Sequence, residues 1–172
     1  VNNWLSNKIV NDTRKGTESE LLFCKLMGNN NYKSFLSTKN QNMIEHWDVV
    51  CVKDNKYERF DVKSLKEGTN LGYAWIELVN VIGRTGWIRS EYMDTIAFEN
   101  VDCFEFVKRI DLLELVENGI KKADEEDGEA ITFCSKINLK YYRRYSRVGR
   151  KDLIVKVPIE DFKKLIYKRI YK

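Results

Sequence analysis

The sequence predicts an α/β domain, and three observations carry that prediction. Strand-like phrases rich in β-branched and aromatic residues recur at 45–64, 74–81, 93–99, 103–107 and 153–157. Between and around them, apolar residues fall at helical spacing over 17–27, 110–120 and 160–171. A hydrophobic content of 43% with a single proline in 172 residues gives enough apolar surface for a real core and few forced breaks.

Taken in order, residues 1–13 carry few signals. Thr17-Glu18-Ser19-Glu20 reads as a helix start, with Thr17 as N-cap and Glu20 as the matching capping-box acid. Leu21, Leu22, Cys24, Leu26 and Met27 continue that helix to Gly28. The polar stretch 29–42 reads as loop, with a short extended piece at Lys33–Leu36. Residues 44–64 form a hairpin turning at Asp54-Asn55-Lys56, and Gly68, Thr69 and Asn70 break it.

A third strand at 74–81 is interrupted by Glu77, and a tight turn at 83–87 leads to fourth and fifth strands at 93–99 and 103–107. Ile110, Leu112, Leu113, Leu115, Val116 and Ile120 mark a helix that begins near Asp111 and ends near Gly119. Residues 121–129 then read as an acidic, solvated loop. After the strand at 153–157, Pro158 precedes a basic amphipathic helix over 160–171.

No linker, low-complexity run or internal repeat divides the chain, so one domain spanning 1–172 is expected, with a catalytic core at 17–100 and a basic part at 136–172. No apolar stretch is long enough to cross a bilayer and no signal peptide is visible, so no membrane partner and a cytoplasmic location are expected. Cys24, Cys51, Cys103 and Cys134 form no C-x-x-C pair, and there is one histidine, which argues against structural zinc and for buried thiols. No glycine-rich phosphate loop is present, so no nucleotide cofactor is expected.

The net charge of +4 conceals an asymmetry. Residues 91–129 hold 13 Asp and Glu against 4 Lys and Arg, whereas 136–172 hold 13 Lys and Arg against 3 acids. A basic segment with interleaved tyrosines suits a polyanion such as DNA, with Arg143, Arg144, Arg147, Arg150 and Lys151 contacting phosphates and tyrosine rings stacking on unpaired bases. A tyrosine cluster beneath a solvated basic loop is the alternative.

The chemistry concentrates in the hairpin. Alternation sends Phe60 and Val62 to one face and Asp61 and Lys63 to the other, and on the first strand Asp48 shares a face with His46 and Val50. Pairing the strands brings Asp48 and Asp61 together with Lys63 beside them. Two carboxylates and an ammonium suit Mg²⁺ or Mn²⁺ and a phosphate ester, with the carbonyl of Val62 as a further ligand. Lys63 then orients the attacking water or stabilises developing charge. Acid-x-Lys also occurs at Asp54/Lys56 and Asp161/Lys163, but only Asp61 lies on an apolar strand. Glu20 either caps its helix or aims at the metal. Glu77 extends the site or faces solvent, and His46 contacts phosphate or is structural.

The order of helix with Glu20, strand with Asp48, strand with Asp61-Val62-Lys63 and then a third strand resembles the PD-(D/E)XK, or restriction-endonuclease-like, nuclease superfamily over about residues 17–100. The phrases Trp75-Ile76-Glu77 and Gly86-Trp87-Ile88 resemble small phage-encoded members. Trp47 stands where the family name expects proline. The resemblance implies a central mixed β-sheet flanked by helices, with Asp48, Asp61 and Lys63 as the metal and catalytic set and Glu20 as an added helical acid. Phosphate contacts by the basic patch predict little sequence specificity, and the resemblance adds an endonuclease, resolvase-like and homodimeric, in a host-cell cytoplasm. The rival expectations are a nucleic-acid-binding module without turnover and a protein-interaction domain using the acidic 91–129 segment.

Overall fold

A helix and a six-stranded mixed sheet build the part of the chain that holds the acidic hairpin. The structure is a computed structural model that describes residues 3–64, 72–129, 131–133 and 140–172, with backbone alone for 3–15, 132 and 133. It divides into two compact units, one formed by Val1–Glu67, Tyr92–Val107 and Tyr167–Lys172, the other by Gly68–Glu91 and Lys108–Ile166. The expected core at 17–100 is therefore interrupted, because 68–91 belongs to the second unit. The expected break at 66–71 and Cys134 lie outside the described residues.

In the first unit, α1 (Asn3–Asn29) precedes β1 (Lys33–Leu36), α2 (Lys39–Glu45), β2 (Val49–Lys53), β3 (Lys56–Lys63), β5 (Thr95–Glu99), β6 (Cys103–Lys108) and β10 (Ile166–Tyr171). The sheet order is β1-β2-β3-β5-β6-β10. β1 and β3 flank β2 antiparallel, and β3 runs parallel to β5. Alternation seats Val49, Cys51, Phe60, Val62, Ala97, Phe104, Phe106 and Ile170 in one core with Phe23, Leu26 and Met27 of α1. Phe23 sits at its centre, its ring 5.1, 5.3 and 5.7 Å from those of Phe60, Phe104 and Phe106.

The second unit pairs β4 (Tyr73–Val79), β9 (Leu153–Pro158), β8 (Arg144–Ser146) and β7 (Ile131–Phe133) in the order β4-β9-β8-β7. It also holds a 3-10 turn at Trp87–Arg89, α3 (Arg109–Asp127) and α4 (Ile159–Lys163). Leu112, Val116 and Ile120 of α3 are buried, as are Ile76, Leu78, Val155 and Val157 of the sheet.

Several sequence expectations are corrected. The first helix does not start at Thr17. It runs from Asn3, since nothing from Asn3 to Lys15 breaks a helix and Gly16 is carried in its interior at a cost of about 1 kcal/mol. Thr17 and Glu20 therefore lie mid-helix and cap nothing. Part of the polar stretch 29–42 is helical, because Thr38 and Gln41 form a complete capping box for α2. The acidic stretch at 121–127 continues α3, and 160–171 splits into α4 and β10, where alternating Ile166, Lys168 and Ile170 fit a strand better than a helix.

Gly119 does not end its helix but lies inside α3, where the ring of Tyr142 leaves no room for a side chain. A Cβ at Gly119 would lie 2.2 Å from Tyr142 Cδ1. That tyrosine is held in turn by donating to Asp161 Oδ2 at 2.8 Å. Gly119→Ala is expected to destabilise the protein by about 1–3 kcal/mol through overpacking, although alanine is the better helix former. Urea unfolding checks this, and a stabilised variant would contradict the packing. Among the described residues no helix is long and apolar enough to cross a membrane, and Cys24, Cys51 and Cys103 are free thiols.

Candidate metal and phosphodiester site

The acidic hairpin closes as the sequence expected at its centre and differs at its entrance. Asp48 lies just before β2, tied to β3 by its own N–H, which donates to Phe60 O at 2.7 Å. It does not share a strand face with His46, because His46 is the left-handed C-cap of α2 at φ 58°. Tight entry into β2 drops Asp48 into the protein interior, where it is only 7% exposed.

Two donors hold its carboxyl group. Val62 N–H donates to Oδ2 at 2.7 Å, and Asn42 Nδ2 donates to Oδ1 from α2. Asp61, 5% exposed, brings its own carboxyl within hydrogen-bonding reach of Asp48. Asp61 Oδ2 is buried without a hydrogen-bond partner and lies 2.6 Å from Lys63 Nζ as an ion pair. The ammonium thus attracts that oxygen without satisfying it.

Burial first, and then the neighbouring Asp61, push the Asp48 carboxyl up to about 8, against a smaller opposing pull from Lys63 and Val62 N–H. Glu20 is also raised, by burial and then by Asp61, with Lys63 acting in the opposite sense. Glu20 therefore feels the pair from α1. It does not complete a ligand cluster, since among the described residues no three His, Cys, Asp or Glu side chains are grouped to hold a metal ion.

The raised carboxyl sets a pH dependence whose sign is fixed. Between an unfolded pKa of about 4 and a folded one near 8, the folded chain holds a proton that the unfolded chain has lost. Stability of the metal-free protein is therefore full below about pH 4 and falls, on the order of a few kcal/mol, as pH rises towards 8. Denaturant unfolding in a chelator across that range checks it, and Asp48→Asn should flatten the curve.

The donor set fits a divalent cation in chemical kind. Two carboxylates that repel when both ionise, with one buried oxygen lacking a hydrogen bond, gain from a positive charge placed between them. With Asp48, Asp61 and the Val62 carbonyl as oxygen ligands, water would fill the remaining positions, as Mg²⁺ commonly accepts.

The residues assigned to DNA in the basic segment are mostly engaged. Arg143 is buried, pairing with Asp124 at 3.3 Å and Asp127 at 2.8 Å and donating to Gly128 O. Arg144 pairs with Asp124 at 2.7 Å and Glu129 at 3.0 Å, and Arg147 pairs with buried Asp152. Arg143 and Arg144 are thus engaged with acids rather than open to solvent, whereas the Arg147 side chain is 41% exposed. Asp124 and Asp127 of α3 draw Arg143 and Arg144 inward, since charges buried there require partners. Arg150 and Lys151 remain exposed. The same pairs occupy much of the acidic end of the 91–129 segment. Glu77 lies in β4 of the second unit, half-buried, and Arg89 pairs with Glu117 at 3.7 Å.

Sequence reasoning missed Asn42, read as loop. The signal was the Thr38-x-x-Gln41 box, which starts a helix whose next residue reaches Asp48. Comparison of the chain with family models, curated proteins and solved structures finds no match.

Proposed function

We propose that this chain is a metal-dependent nuclease that hydrolyses phosphodiester bonds in DNA, an endonuclease of the PD-(D/E)XK kind. The observation that carries the reading is the buried meeting of Asp48, just before β2, and Asp61, on β3, with Lys63 on the otherwise unsatisfied Asp61 oxygen. A structural ion pair needs one carboxylate for one lysine. Here a second carboxylate is buried against the first, which raises its proton affinity and disfavours the metal-free ionised state. Such an arrangement is stabilised by a cation or, in its absence, by a proton held on Asp48.

Asp48, Asp61 and the Val62 carbonyl would hold Mg²⁺ or Mn²⁺. When bound, that ion lowers the pKa of a coordinated water and neutralises phosphate charge. Val62 N–H and Asn42 fix the Asp48 carboxyl, so its orientation is set before substrate arrives. Lys63 keeps its ammonium on the substrate side of Asp61, one-third exposed, where it attracts the phosphate and stabilises charge developing on its oxygens. Glu20, with its raised affinity for a proton, borders the pair and is placed to take or give one.

With readout of bases absent from this set, little sequence specificity follows, and recognition of DNA structure is the natural consequence. Cutting both strands at one locus takes two such sites, which the reading assigns to a homodimer. Incubation of supercoiled plasmid with the protein and Mg²⁺ tests the proposal. Nicking that a chelator stops supports it. DNA binding with no nicking in Mg²⁺ or Mn²⁺ would favour a binding module without turnover.

A further inference from the structure

The far end of β2 carries a cationic cluster that the acidic site does not use. Lys53 closes β2 and stands directly opposite Lys56 across the turn, whose residues Asp54 and Asn55 both have positive φ, 52° and 59°. Directly opposed like charges destabilise an antiparallel pair. Lys168 of β10 joins them through Tyr32. The Lys53 and Lys168 ammoniums each lie 4.9 Å from the centre of the Tyr32 ring, and Lys168 Nζ is 3.3 Å from its hydroxyl oxygen.

Nothing nearby offsets this charge in full. Among the described residues, Lys53, Lys56 and Lys168 have no carboxylate at ion-pair distance. Asp54, in the turn itself, pairs with none of them. Glu58, on the neighbouring strand, accepts from the hydroxyls of Thr95 at 2.5 Å and Tyr167 at 3.1 Å. The C-terminal end of α1 receives Lys53 at Asn30 O, 3.3 Å away, but a helix end offers only about half a unit of negative charge. Of the three lysines, Lys53 is the one held at that helix end.

We propose that Lys53 and Lys168, joined through Tyr32, form with Lys56, opposite Lys53, a binding site for the phosphate backbone of duplex DNA. The choice of DNA rests on the nuclease reading; the existence of an anion site does not. Both ammoniums sit over the Tyr32 ring and its hydroxyl is engaged, so the ring positions lysines rather than stacking on a base. The contacts are therefore to phosphates and carry no sequence information. Lys53, at the far end of β2, stands five residues, or about 17 Å of extended chain, from Asp48 just before that strand.

The test is fluorescence anisotropy of a labelled duplex of about 20 base pairs, in a chelator, across salt from about 50 to 200 mM. Replacing Lys53, Lys56 and Lys168 together by Gln should lower the slope of log affinity against log salt by about two to three. Arg150→Gln with Lys151→Gln, in the second unit, should change it by less than one. If the triple variant fails to fold, Lys56→Gln alone, at an exposed position, should lower the slope by about one. An unchanged slope in a folded triple or single variant would overturn the proposal. So would wild-type protein that binds polyglutamate as well as DNA, or binds no DNA. Because the assay contains no divalent ion, its outcome is separate from cleavage. Lost slope with no nicking in Mg²⁺ sinks the nuclease reading and leaves this site standing; nicking with an unchanged slope does the reverse.

Discussion

Asp61→Asn is expected to lower Mg²⁺-dependent DNA cleavage by at least about 1,000-fold, and Lys63→Ala by about 100- to 1,000-fold. Asn keeps the shape of the side chain and removes its charge. It also removes the repulsion that raises the Asp48 carboxyl, which offsets the lost Lys63 ion pair, so metal-free Asp61→Asn should keep about the stability of the wild type. That combination separates a metal ligand from a structural acid, whose loss would lower both quantities. Lys63→Ala leaves Asp61 Oδ2 without its ion pair in the interior, which costs some stability. Its activity loss should therefore be measured at a temperature where the variant is fully folded. Plasmid nicking alongside thermal melts reads both. Near-wild-type nicking by Asp61→Asn would contradict the assignment.

The largest effect on stability is expected at Phe23. The ring is 1% exposed and touches three others, so Phe23→Ala removes a buried aromatic side chain and leaves a cavity between α1 and the sheet. The expected loss is about 3–5 kcal/mol. Urea unfolding measures it, and a loss under about 1 kcal/mol would mean that α1 does not seat on the sheet through this residue. Because the same helix carries Glu20 three residues, or about one turn, before Phe23, loosening it should also lower cleavage. Phe23→Leu, which keeps most of the apolar volume, should lose far less of both.

The hairpin was legible because it is local and periodic. Phe60 and Val62 entering the core while Asp61 meets Lys63 follows from period-two alternation alone. The meeting of Asp48 with Asp61 needed only the turn at Asp54-Asn55 to fix the register. What was not legible depended on partners distant in sequence. Gly119 reads as a helix end until the Tyr142 ring is placed against it. Residues 166–171 carry an apolar pattern that serves a helix or a strand, and the open edge of β6 decides for the strand. Arg143 and Arg144 read as an open basic patch because their acids, Asp124, Asp127 and Glu129, stand about 15 to 20 positions earlier. Charge composition reports the surplus, and only the fold reports where it is consumed.

Calorimetric titration of Mn²⁺ into the metal-free protein at about pH 7 asks most directly whether Asp48 and Asp61 share one cation. Saturable binding with release of a proton, abolished by Asp61→Asn and by Asp48→Asn in folded protein, is the expected result. Binding that survives both substitutions, or no binding in a protein that still cuts DNA, would contradict it.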